Sequence, residues 1–122
     1  MVWKTKPLPA SLDPARACTF AWLAGLGYAT EPAGKFSLFL GERPLLDLNV
    51  TRKDALWRSA DGKITLKYTV KSANEQDSSG VMELSLPASL LQPGEPAELR
   101  VVGSPAHSRR WFGLYELDSM NP

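Results

Sequence analysis

The chain has 122 residues, 43% hydrophobic and 22% charged, which suits one globular domain with a real core and excludes a disordered or collagen-like chain. With 14 basic against 13 acidic side chains the formal net charge is +1, so no overall field draws in nucleic acid or an anionic membrane surface. The longest apolar stretch, around Phe20 to Leu26, is far short of the roughly 20 residues that cross a bilayer.

Residues 1–17 read as an extended lead-in or linker packing on the domain, with prolines at Pro7, Pro9 and Pro14. The opening Met-Val-Trp-Lys-Thr-Lys-Pro lacks the apolar centre of a signal peptide, so the sequence gives no localisation. The remaining 18–122 form a single domain. Cys18, the lone cysteine, allows no intramolecular disulfide, and its apolar neighbours make it a buried, unreactive thiol. Thr19 to Leu26 reads as the first strand. The Gly-Leu-Gly at Gly25 to Gly27 precedes no helix and is no dinucleotide fingerprint.

Lys35 to Leu40 and Pro44 to Val50 flank Gly41-Glu42-Arg43, a hairpin with glycine available for a left-handed position. Asn49-Val50-Thr51 matches a glycosylation acceptor at a strand end and is read as a chance match. Ala55 to Arg58 precedes an Asp61-Gly62 turn. Beyond that turn Ile64, Leu66, Tyr68 and Val70 alternate with Thr65, Lys67 and Thr69, one face on core and one in water. Gly80 to Pro87 alternates with Met82, Leu84 and Leu86 inward. Pro87 to Pro96 has room for one helical turn before Pro93-Gly94 stops it. Ala97 to Val102 and Arg109 to Leu117 complete about eight strands, and no window carries a useful helical period. The expected fold is all-β, a two-sheet antiparallel sandwich of the jelly-roll kind.

Chemistry-bearing residues are sparse. His107, the single histidine, sits in a turn-rich loop with no neighbouring carboxylate or cysteine, which leaves no usual zinc site and no serine triad in a nucleophile-elbow setting. The acidic residues Asp47, Asp54, Asp61, Glu75, Asp77 and Glu83 select no glycosidase pair by spacing, and Asp61 is explained by its turn. Loop oxygens of Asp54 and Asp77 are chemically able to hold calcium, but no EF-hand spacing accompanies them. No cofactor is implied, and the chain reads as non-catalytic.

The aromatics say more. Four tryptophans is a high count, and tryptophan both anchors cores and stacks on sugar rings. Trp22 lies among apolar residues and reads as core. Trp57, after Arg52-Lys53-Asp54, reads equally as core or rim. In Arg109-Arg110-Trp111-Phe112-Gly113-Leu114-Tyr115 both strand faces carry bulk, Trp111 and Tyr115 on one and Phe112 with Leu114 on the other. If the first face is exposed, it offers two aromatics flanked by guanidinium groups as a surface for a sugar or an aromatic-rich peptide. If a loop or a parent domain covers it, the strand is buried on both sides.

The run Gly34 to Leu46, with Ser79 to Leu84 and Leu91 to Val101, resembles a galactose-binding-like jelly roll over residues 18 to 117. Domains of that kind are appended to secreted bacterial glycoside hydrolases and esterases as carbohydrate-binding modules or supports. The resemblance implies that the chain binds a polysaccharide or oligosaccharide, or braces the catalytic domain of a parent protein, outside the cell. Trp57 or Trp111 with Tyr115 would stack on the glycan, and Arg109, Arg110 and Asp54 would bond its hydroxyls. Two other readings compete: a structural or protein-interaction sandwich packed on a neighbouring domain without a glycan, and a small stand-alone enzyme, which would need a deep pocket with paired ionisable groups.

Overall fold

A computed structural model describes residues 1–28, 35–104 and 110–121, the last six by backbone alone. His107 and Arg109 lie outside the described residues. Among the described residues nine strands follow in order: β1 Val2–Lys4, β2 Ala17–Gly27, β3 Lys35–Leu40, β4 Arg43–Leu48, β5 Ala55–Arg58, β6 Thr65–Ala73, β7 Ser78–Pro87, β8 Glu98–Ser104 and β9 Trp111–Asn121. One 3₁₀ turn, Ala88–Leu90, occupies the segment that the sequence limits to a single turn.

The strands make an antiparallel sandwich of a four-stranded sheet, β1-β8-β3-β4, and a five-stranded sheet, β5-β6-β7-β2-β9. The pairings β1 with β8 and β2 with β7 nest one inside the other, and the segment between them folds as the hairpins β3-β4 and β5-β6, one in each sheet, where a jelly roll would pair β3 with β6 and β4 with β5. The lead-in is more than a strap. Trp3 pairs with Leu99 in β1, while Leu8 and Leu12 are buried further along. Three residues are too short for alternation to register in a sequence, so this strand is visible only through its partner.

Alternation decides which side chains meet between the sheets. The larger sheet sends in Cys18, Phe20, Trp22, Ala24 and Leu26 from β2, Leu66 and Tyr68 from β6, and Met82, Leu84 and Leu86 from β7. The smaller sheet answers with Phe36, Leu38, Leu46, Leu48, Leu99 and Val101. An aromatic seam joins the layers. Trp3 meets Trp22 edge-on at 5.5 Å and stacks on Phe112 at 6.1 Å, and Phe112 meets Phe36 at 6.1 Å. Centroid spacings of this kind contribute about 1 kcal/mol per pair beyond area burial. Phe112 is thereby fixed inward, and this orients the start of β9, where the candidate site lies.

Candidate functional site

With Phe112 in the core, the strand period turns Trp111, Gly113 and Tyr115 to the outer face of the larger sheet. Trp111 is 37% exposed and Tyr115 60%. Their floor is β2, where Gly27 pairs with Trp111 and Gly25 with Gly113. A methyl group built on Gly27 would overlap the indole, and one built on Gly25 would lie 2.7 Å from the Tyr115 ring and 2.9 Å from the Trp111 ring. The two rings therefore lie down on bare backbone, side by side over Gly25 and Gly113. This accounts for the Gly-Leu-Gly run: glycine keeps the outer face low where the rings rest, and Leu26 between them points into the core.

A β-bulge sets Tyr115 at this spot. Leu23 pairs with Glu116 and Ala24 with Leu114, leaving Tyr115 without a residue opposite it. Bulges bend a strand and re-aim its side chains. Another lies across the sheet in β6, where Val70 pairs with Gly80 and Ser72 with Ser79, so that Lys71 is the extra residue.

Between the aromatic pair and the β6-β7 turn runs a cleft of about 250 Å³. Ser72, Asn74, Asp77 and Ser79 line one side and Trp111 and Tyr115 the other. The turn is tied by its own side chains. The Asn74 Oδ1 accepts from the amides of Gln76 at 3.0 Å and Asp77 at 2.8 Å, and the Asn74 amide donates to the Asp77 carbonyl at 2.9 Å. Asp77 Oδ1 in turn accepts from the Tyr28 amide at 3.0 Å, anchoring the turn to the exit of β2. Tyr28 has a φ of 66°, a left-handed conformation uncommon for a residue with a side chain. The polar wall is thus held by hydrogen bonds to the same strand that carries the aromatic floor. Two wider clefts, each about 520 Å³, are lined mainly by aliphatic and charged residues such as Arg43, Leu45, Lys63 and Ile64, or Arg52 and Lys53, without an aromatic.

The residues singled out in the sequence fall in three places. Trp111 and Tyr115 come together as the platform. Arg110, half-buried beside them, donates from Nη2 to the Ser104 carbonyl at 3.2 Å and closes the end of β8. Trp57 and Asp54 lie elsewhere, because β5 and β9 are opposite edges of the sheet with three strands between them, a span of roughly 19 Å at the usual strand spacing. Trp57 is half-buried on the inner side, stacked on Tyr68 at 6.3 Å and packed on the core. Asp54 Oδ1 accepts from the Val70 amide at 2.8 Å and satisfies β6 next to its bulge. Asp54 thus lies with Trp57 at one edge of the larger sheet, apart from Trp111 and Tyr115 at the other. Serine and asparagine in the cleft were not singled out in the sequence, where polar turn residues look alike. The one available signal was the pair of glycines, Gly25 and Gly27, one residue apart at the end of β2.

The groups whose proton affinity is shifted stand apart from the cleft. Bonding to Lys35 and then to Ser37 holds the Asp47 carboxyl below its ordinary value, and bonding to Ser59 and the Lys63 amide does the same for Asp61. Burial pushes the Cys18 thiol and the Tyr68 phenol up. Among the described residues no three His, Cys, Asp or Glu side chains gather as a metal site. The chain matches no protein-family model, no curated protein and no solved structure.

Proposed function

We propose that this domain is a non-catalytic glycan-binding module, an ancillary part of a polysaccharide-active protein, and that Trp111 and Tyr115 are its stacking surface. One observation carries the reading: two solvent-facing rings are seated on a glycine floor beside a cleft lined by hydroxyl, amide and carboxylate groups. Sugar rings present both an apolar C–H face and a rim of hydroxyls, so the ring faces meet the first and the cleft meets the second. The site is shallow, so a single contact is weak and attachment to a polymer gains from repeated engagement.

Affinity electrophoresis against a panel of soluble polysaccharides tests this, with Trp111→Ala and Tyr115→Ala run beside the parent and their folding checked by near-UV circular dichroism. Retardation by one glycan class that is lost in both folded variants is the expected result. No retardation by any glycan would sink the reading.

A second reading rests on the same face. The half-buried Leu23 and Val81, paired across β2 and β7, extend the outer surface of the larger sheet beyond the aromatic pair with apolar side chains, which suits packing against a neighbouring domain. In that case the face-lining variants would weaken association with the adjoining domain and leave glycan mobility unchanged.

A further inference from the structure

Resting on the glycan-binding reading, we propose that the cleft beside Trp111 accepts a sugar carrying a primary ammonium group, so that the preferred polymer is an aminated glycan. The argument begins with charge. Among the described residues lining the cleft, Asp77 is the only ionisable group apart from the Tyr115 phenol. Its Oδ1 is occupied by the Tyr28 amide, and its second oxygen makes no hydrogen bond among the described residues. Of the nearby guanidinium groups, Arg52 donates to the Asn74 carbonyl and Arg110 to the Ser104 carbonyl.

A carboxylate beside two aromatic rings is a recognisable combination. Ring faces attract a cation through their quadrupole, and a carboxylate gives an ammonium a short, charge-assisted hydrogen bond. A neutral sugar gains neither, although it still stacks. A uronate would bring its own negative charge toward Asp77 and meet repulsion. The neighbouring Ser72, Asn74 and Ser79 supply donors and acceptors for the hydroxyl groups that flank an amine on a pyranose ring. Within one binding mode, the rings thus hold any sugar and Asp77 sorts sugars by charge.

Isothermal titration calorimetry of the full chain at pH 6 and low salt tests the inference with four probes: a glucosamine tetramer, its N-acetylated counterpart, a galacturonate tetramer and a lysine tetrapeptide. The glucosamine tetramer should bind about tenfold more tightly than the acetylated and acidic sugars, the gain expected of one charge-assisted bond, and the gap should narrow as salt is added. Asp77→Asn keeps a carbonyl oxygen for the Tyr28 amide and removes the charge. It should abolish the difference between the aminated and the acetylated tetramer. Equal binding of aminated and acetylated sugars, or a difference that survives Asp77→Asn, overturns the inference. The glycan reading then stands if Trp111→Ala still weakens both sugars. If no tetrasaccharide binds, that reading itself fails. Binding of the lysine peptide through Asp77 as tightly as the aminated sugar also overturns the inference, because the cleft would then read an amine without reading the sugar.

Discussion

Gly27→Ala adds one methyl group where β2 passes beneath the Trp111 indole. The positive-φ glycines are Gly41, Gly62 and Gly94, so Gly27 has a backbone that alanine adopts freely, and the exchange alone should stabilise the strand by about 0.5–1 kcal/mol. The methyl overlaps the indole, however, and the ring has to leave its seat. Trp111 is 37% exposed, so nearly two thirds of its surface is covered in place. Lifting it exposes on the order of 100 Å² and costs about 2–3 kcal/mol. The net effect expected for Gly27→Ala is a loss of about 1–2 kcal/mol, with glycan retention gone because the platform is disarranged. In a Trp111→Ala background the methyl has no ring to meet, and Gly27→Ala should be neutral or stabilising. Urea unfolding of the four proteins closes the double-mutant cycle, with an expected coupling of about 2–3 kcal/mol. Additivity to within about 0.5 kcal/mol would refute the claim that Gly27 exists to seat Trp111.

Four further outcomes follow. Trp57→Ala should lower stability by about 2–3 kcal/mol, as for a partly buried aromatic, yet leave glycan mobility unchanged in the folded protein. Loss of retardation by this folded variant would return Trp57 to the binding surface. Asp54→Ala removes the acceptor of the Val70 amide and should cost about 1 kcal/mol in chemical denaturation, again without affecting binding; an unchanged unfolding midpoint would show the bond to be idle. Because Asp47 is held below its ordinary pKa by Lys35 and Ser37, its contribution to stability is present above the unfolded value and is lost as pH falls through the folded value. Asp47→Asn should therefore flatten part of the stability loss as pH falls below about 4. Both partners are about half exposed, which keeps the effect below about 1 kcal/mol, and an identical pH profile in the variant would remove Asp47 from the account. Cys18 is fully buried with its thiol pushed up. It should resist a disulfide reagent at pH 8 until urea unfolds the chain, and rapid labelling of the native protein would contradict its place in the core.

The local pattern in the sequence was enough to give the all-β class, most strand spans and the two tight hairpins, because these depend on short-range alternation and on turn chemistry. The Asp61-Gly62 turn shows this well: Asp61 Oδ1 takes the Ser59 hydroxyl and the Lys63 amide, and Gly62 sits at a φ of 74°, all within five residues. The pairing of Trp111 with Tyr115 was legible for the same reason, since a period of two places them on one face. Strand order was not legible. Whether Trp57 joins that surface depends on β5 and β9 occupying opposite edges of the larger sheet, and whether Val2–Lys4 is a strand depends on β8, far along the chain. Nor could spacing within one strand reveal that Gly25 and Gly27 pass under rings from β9, or that Asp77 reaches back to Tyr28. Those contacts join residues dozens of positions apart. Local alternation fixes which way a side chain points, and only the folded sheet decides what it points at.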